Sequence, residues 1–206
     1  MLSAFTTCKM NTAEAIDFST SIIEQQPFPH FCATSVFSAA LERRLYAWLQ
    51  TTENWALTQT EFYEQFEFSL FDVTLPADLV CLVGEAMLGA IRGQLEAVFA
   101  SGALDLVGVT IHKLTDGQRI GVHNDFIGAE ETHRLIVQIN ANWQEENGGY
   151  LLLFNSAKAE DISKVVLPIS NSAFGFEISP RSHHAVSTVY NFPRYTLVYT
   201  FRQQNR

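Results

Sequence analysis

Apolar residues recur at helical spacing in two stretches of the first half of the chain and at strand spacing through most of the second. In "SVFSAALERRLYAWLQ", Phe37, Leu41, Leu45 and Trp48 fall three or four positions apart, with Ser35 or Ser38 placed to cap the amino end. In "LPADLVCLVGEAMLGAIRGQLEAVF", Leu88, Ile91, Leu95 and Phe99 form a second stripe, and Asp78 suits the positive end of its helix dipole. Stripes of this width are core-facing surfaces rather than ligand sites.

From about residue 105 the apolar runs shorten and become rich in β-branched and aromatic residues. "LVGVTIHKL", "RLIVQIN", "YLLLF", "KVVLPI", "AFGFEI", "HHAVSTVY" and "RYTLVYTF" read as strands, punctuated by Asp116-Gly117, Asn147-Gly148-Gly149 and Pro180. Many short strands at such intervals predict a mainly β fold, a sandwich or jelly roll, with the N-terminal helices covering one face. Nothing between residues 70 and 110 has the composition of a linker. The expectation is one domain over 1–206, with 1–104 as a helical support region and 105–206 as the β core.

Composition narrows the function classes. The formal net charge of −9 and the absence of a Lys/Arg run argue against nucleic-acid binding and against adhesion to anionic membranes. No stretch is long and apolar enough for a membrane span, and the start "MLSAFTTCKMNTAEAIDF" lacks the pattern of a signal peptide. Cys8, Cys32 and Cys81 are far apart, odd in number and form no CxxC pair, which suits incidental thiols in a reducing compartment. A cytoplasmic protein is expected.

Candidate chemistry begins at "GVHNDF". His123 and Asp125 are two positions apart, so in extended chain both side chains point the same way, about 6–7 Å apart at Cβ. Such a pair can converge on one ion, but two imidazoles and a carboxylate are needed for a ferrous site with open positions. His183 or His184 in "SPRSHHAVSTVY" can supply the second imidazole. Arg194 begins the run "RYTLVYTF", which places Arg194, Thr196, Val198 and Thr200 on one face. A guanidinium on an inner face needs an anion, and an Arg fork beside a hydroxyl suits a carboxylate.

These residues together resemble the 2-oxoglutarate- and Fe(II)-dependent dioxygenases, in the prolyl-4-hydroxylase-like branch. The resemblance covers about residues 107–202. It rests on Gly117-x5-His123-x-Asp125, on "RLIVQINANWQEENGGYLLLF", and on the tail from His184 to Thr196. "PFPHFCATSVFS" at 27–38 is also similar to the family's entry segment. The resemblance implies a double-stranded β-helix of jelly-roll type, with His123, Asp125 and a distal histidine as catalytic iron ligands. The "HAVSTV" pattern and the 10-residue step to Arg194 favour His184 over His183. Arg194 then corresponds to the residue that binds the distal carboxylate of 2-oxoglutarate, with Thr196 assisting. Relatives often carry a Tyr shortly before the Gly117 position, whereas this chain has "IHKLTDG"; either His112 takes over that contact or the contact is absent.

The implied activity is oxidation, in the first place hydroxylation, of an unactivated C–H bond in an amino acid, free or within a peptide or protein. Fe(II), 2-oxoglutarate and O2 would be consumed or held, succinate released, and ascorbate would serve as auxiliary reductant. A retained Asp125 argues against halogenation. Alternatives are a natural-product tailoring oxygenase that cyclises or desaturates, and a non-catalytic jelly roll that binds a small molecule. A zinc hydrolase fits less well, because the obvious carboxylate is already used as a ligand. His30 and His133 read as structural or surface residues; Arg134 and Asn140 flank the central strand, Arg134 reading as a surface or structural ion pair with reach to an anionic substrate group as the alternative; Trp143 and Tyr150 read as packing, and Arg181 as a candidate for the cavity mouth. Residues 52–75 read as a lid, a substrate wall or ordinary packing.

Overall fold

In the computed structural model, which describes residues 15–204, the Ser38 side chain accepts a hydrogen bond from the Leu41 amide and caps α1 (Ala39–Thr51). Of the two serines that could cap this helix, Ser38 is the one used. The second stripe forms α2 (Glu85–Phe99), but the helix starts later than its sequence suggests. Gly84 is extended, Val80–Val83 form a separate 3-10 turn, and Glu85 occupies the first helical turn. Asp78 therefore does not sit at the helix dipole; it pairs with Arg44 at 3.4 Å. Cys8 and the rest of residues 1–14 lie outside the described residues, as do 205–206.

Among the described residues there are twelve strands: β1 (Ile22–Glu24), β2 (His30–Thr34), β3 (Ala56–Gln59), β4 (Glu64–Ser69), β5 (Leu104–Leu114), β6 (Ile120–His123), β7 (His133–Gln138), β8 (Leu151–Phe154), β9 (Ile162–Val166), β10 (Ser172–Glu177), β11 (His184–Val186) and β12 (Arg194–Gln203). They form an eight-stranded sheet, ordered β1-β2-β10-β7-β12-β5-β4-β3, and a four-stranded sheet, ordered β6-β11-β8-β9. The pairings within both sheets are antiparallel. This is the jelly-roll arrangement, mainly β with flanking helices.

The first half is more than helical support, because β1 to β4 all join the larger sheet. Two of these strands, β1 and β3, are short, mostly exposed sheet edges, so they carry little apolar alternation. Their partners, rather than their own side chains, define them.

β12 lies between β7 and β5 and is buried over its first eight residues. Its alternation separates two cores. Tyr195, Leu197, Tyr199 and Phe201 pack with Leu41, Leu45, Ile91 and Leu95 on the helix side. Between the sheets, Phe174, Phe176, Leu151, Leu153 and Val186 form a second cluster. At the far edge, Lys164 on β9 forms an ion pair with Glu24 on β1, linking one sheet to the other. Neither Cys32 nor Cys81 forms a disulfide, and no helix among the described residues is long and apolar enough to cross a membrane.

Candidate active site

The pairing of β6 with β11 makes His123 and His184 direct partners. Their rings approach to 4.3 Å between centroids, and Asp125 follows two residues beyond the end of β6. One ligand atom from each of His123, Asp125 and His184 lies within 4.8 Å of the others. Asp125 lies two residues past the end of the strand, in chain without regular structure. Nε2 of His123 is 3.5 Å from Asp125 Oδ1, and Nε2 of His184 is 3.4 Å from Oδ2.

The tautomers follow from the hydrogen bonds. His123 Nδ1 is 2.9 Å from Gly121 O, and His184 Nδ1 is 2.8 Å from Ser182 O. A carbonyl oxygen only accepts, so each Nδ1 carries the proton and each Nε2 presents a lone pair to the gap. Burial lowers the His184 pKa to about 4, against the opposing pull of Asp125, so the ring is neutral at pH 7. Burial pushes the Asp125 carboxyl up, but Arg134, His184 and His123 outweigh it and hold it well below the usual range. Two imidazoles with Nε2 turned inward and one carboxylate are a donor set that fits a divalent transition metal with open positions.

The triad lies in a cavity of about 370 Å³, which is also lined by Arg194, Thr196 and His112. All six site residues expected from the sequence therefore share one cavity. Thr196 on β12 is the direct partner of His112 on β5, so their side chains stand on the same face. Arg194 is only 5% exposed, and its Nε donates to Gly149 O at 2.9 Å. Among the described residues no carboxylate pairs with it. Burial lowers its pKa only to about 10, so it remains a cation at neutral pH. Gly149 has φ +70°, and a Cβ there would sit 2.8 Å from Arg194 Cδ, so the glycine clears the space in which the guanidinium lies.

His183 does not join the triad; its Nε2 is 3.4 Å from Asn124 Nδ2. Arg181 is exposed and does not line the cavity. His30 and His133 are fully buried and structural. Asn140 ties β7 to β12, with Oδ1 accepting from the Tyr195 amide at 2.7 Å. Trp143 and Tyr150 pack edge to face, and they bond to Gly148 O and Glu145 O.

Arg134 carries more weight than its sequence position suggests. Its Nη1 is 2.6 Å from Asp125 Oδ2, and its Nη2 is 2.5 Å from Glu131 Oε2. It lines the cavity and holds the triad carboxylate from outside. The 52–75 stretch supplies a cavity wall through Phe62, Tyr63, Gln65 and Glu67, with Phe62 stacked on His123 at 4.9 Å. The alternation of Tyr63, Gln65 and Glu67 in "FYEQFEF" is the signal that could have identified that wall.

A family model described as the 2OG-Fe(II) oxygenase superfamily matches residues 109–201. No curated protein sequence matches the chain. Among solved structures, a prolyl-4-hydroxylase from Pseudomonas putida superposes with a TM-score of 0.68 at 17% identity, covering 85% of this chain and 93% of that one. A Trichoplax adhaerens prolyl hydroxylase in complex with a hypoxia-inducible-factor peptide fragment gives 0.71 at 11% identity, covering 84% and 83%. SnoN, a non-haem α-ketoglutarate-dependent epimerase of nogalamycin biosynthesis, gives 0.63 at 12% identity, covering 84% and 77%. At such low identities these structures establish the jelly-roll fold; the family match over β5 to β12 carries the activity. The family match over residues 109–201, together with the His-Asp-His cluster, supports a 2-oxoglutarate-dependent non-haem iron dioxygenase that works with Fe(II), 2-oxoglutarate and O2.

Proposed function

We propose that His123, Asp125 and His184 are the iron ligands, that Arg194 with Thr196 and His112 binds 2-oxoglutarate, and that the protein hydroxylates a C–H bond of an amino acid, free or within a peptide. Residues 1–206 are read as one dioxygenase domain acting in the cytoplasm, with ascorbate as auxiliary reductant. The cytoplasmic reading rests on the sequence, in which Cys8, Cys32 and Cys81 are far apart, odd in number and form no CxxC pair.

One observation carries the reading: a buried Arg194 cation, with no carboxylate partner among the described residues, faces the same cavity as the His-Asp-His cluster. An unpaired buried guanidinium is costly unless an anion completes it. The terminal nitrogens left after the Gly149 bond suit a carboxylate taken at two points. Thr196 adds a hydroxyl on the same face of β12, and His112 a neutral imidazole opposite it.

Bound at the triad, Fe(II) with 2-oxoglutarate and O2 supplies oxidative decarboxylation to succinate and CO2, coupled to oxidation of the substrate C–H bond. The chain's own residues position and shield. The Gly121 and Ser182 carbonyls fix the two imidazoles with Nε2 inward, and Arg134 keeps Asp125 ionised and oriented. Phe62 over His123 and Phe176 against His184, 5.3 Å away, keep water from the imidazole faces. Tailoring of a small molecule is the second reading, supported by the likeness to SnoN; product analysis separates it from hydroxylation of a peptide.

The test is anaerobic titration of the purified protein with Fe(II) and 2-oxoglutarate, following the visible charge-transfer band of the chelated ferrous complex. The expected result is a band in the wild type that vanishes in His184→Ala and needs far more 2-oxoglutarate in Arg194→Ala. Folded wild-type protein that binds iron but shows no band would overturn the reading in favour of a non-catalytic binding module.

A further inference from the structure

The triad and Arg194 leave one wall of the cavity without a role. Tyr63, Gln65 and Glu67 sit at alternate positions, so their side chains share a face, and all three line the cavity. Gln65 is only 4% exposed, and its Nε2 donates to Glu67 Oε2 at 2.7 Å. That bond fixes the amide, because only the NH2 group can face the carboxylate. Gln65 Oε1 is left buried with no hydrogen-bond partner among the described residues. A buried acceptor in that state costs about 1–3 kcal/mol unless a ligand or water supplies a donor.

Glu67 has an unusual set of neighbours. Its Oε1 accepts from Thr58 Oγ1 at 2.9 Å and its Oε2 from the Gln65 amide, both neutral donors. His112 lies 3.8 Å away, but burial lowers its pKa to about 4, so it brings no charge at pH 7. Lys113, the next residue along β5, lies over the Trp55 and Phe66 rings instead. Arg134 is paired with Asp125 and Glu131. Glu67 is thus a cavity carboxylate held rigid by neutral groups, with no cation paired to it among the described residues.

Two acceptors side by side, one of them charged, match a group that is cationic and rich in N–H donors. We infer that Gln65 and Glu67 form a recognition pair for an ammonium or guanidinium group of the primary substrate, with the Tyr63 ring beside them. The inference rests on the dioxygenase reading and narrows its substrate class to compounds bearing a cationic nitrogen. Arg194 and the Gln65–Glu67 pair then divide the cavity by charge, the first taking the co-substrate's carboxylate and the second the substrate's cation.

The experiment measures equilibrium binding to anaerobic protein loaded with Fe(II) and 2-oxoglutarate, read from perturbation of the visible band. The probes are lysine against norleucine and arginine against citrulline, each as the free amino acid and as its N-acetyl amide. This design separates a side-chain cation from an α-ammonium. The expected result is that one cationic form binds at least tenfold more tightly than its neutral counterpart. Glu67→Gln and Gln65→Met should each reduce that ratio. A wild-type band with equal binding of cationic and neutral forms overturns this inference alone, and so does a preference unchanged in both variants. Absence of the band in the wild type overturns the dioxygenase reading and this inference with it.

Discussion

His123 and His184 stand directly opposite each other where β6 pairs with β11, their ring centroids 4.3 Å apart. The register of two short strands thus fixes two of the three proposed metal-ligating positions, and the segment just beyond β6 brings the third. Each imidazole is locked by a backbone carbonyl two residues before it. The site is therefore organised before any ion arrives.

His184→Ala removes one imidazole. Fe(II) affinity should fall on the order of 100-fold or more, because a two-ligand site holds a divalent ion poorly. Direct Fe(II) titration checks this, with circular dichroism to verify the fold. Unchanged affinity would mean that the metal binds elsewhere.

Arg134→Ala leaves the Asp125 carboxylate without its 2.6 Å partner. Loss of an outer partner of this kind costs about 10–100-fold in metal affinity. The 2-oxoglutarate requirement at saturating iron should change much less, since Arg134 is paired to Asp125 and Glu131 rather than free for an anion. Arg134→Lys should recover only part of the loss, because a single ammonium cannot bridge Asp125 and Glu131 as the fork does.

Gly149→Ala tests the seat of Arg194 without touching its charge. A Cβ would meet Arg194 Cδ at 2.8 Å and require φ +70° of an alanine. The guanidinium has to shift, so the 2-oxoglutarate concentration for half-saturation should rise about tenfold or more, while Arg194→Ala raises it about 100-fold. Iron affinity in the absence of 2-oxoglutarate is expected to stay within a few-fold of wild type in both.

Stability should fall with acid through His133. This ring is buried, its Nε2 has no hydrogen-bond partner, and Phe99 lies 5.5 Å away. Burial lowers its pKa from 6.5 to about 4. The unfolded chain binds the proton first, so the stabilisation is present above pH 6.5 and is lost as pH falls toward 4. The loss is at most on the order of 3 kcal/mol. Urea midpoints between pH 7 and pH 4 on metal-free protein read it, and His133→Phe should make the profile shallower, the remaining slope coming from His112 and His184, which burial lowers likewise.

Gly175→Ala probes the sheet rather than the site. Its Cβ would come within 2.2 Å of Phe31 Cε1, inside the pairing of β10 with β2. Overpacking of this kind costs about 1–3 kcal/mol or more, seen as a lower urea midpoint.

The two helix stripes, seven of the eight strands of the second half and the alternation of β12 follow from local side-chain order, because each is decided by burial of its own residues; β6, short and only half-buried, was not among them. The Arg194–Thr196 face was legible for the same reason, since spacing along one strand is a local property, and the H-x-D pair was legible from its spacing alone although Asp125 lies beyond the end of β6. The four early strands were not, because edge strands such as β1 and β3 are exposed and defined by their partners. Asp78 was misplaced because the extended Gly84 breaks a run that looks continuous in sequence.

What the sequence by itself determined is therefore a β core with flanking helices, an inward Arg–Thr pair, and a choice between two adjacent histidines. Only the tertiary structure set His184 against His123, turned His183 toward Asn124, and brought Arg134 onto Asp125. It alone folded "YEQFE" into a cavity wall. Strand period fixes which face a residue occupies, but not which distant strand it meets. That choice comes from pairing between segments far apart in the chain, where backbone hydrogen bonds and shared burial, rather than local sequence, set the register.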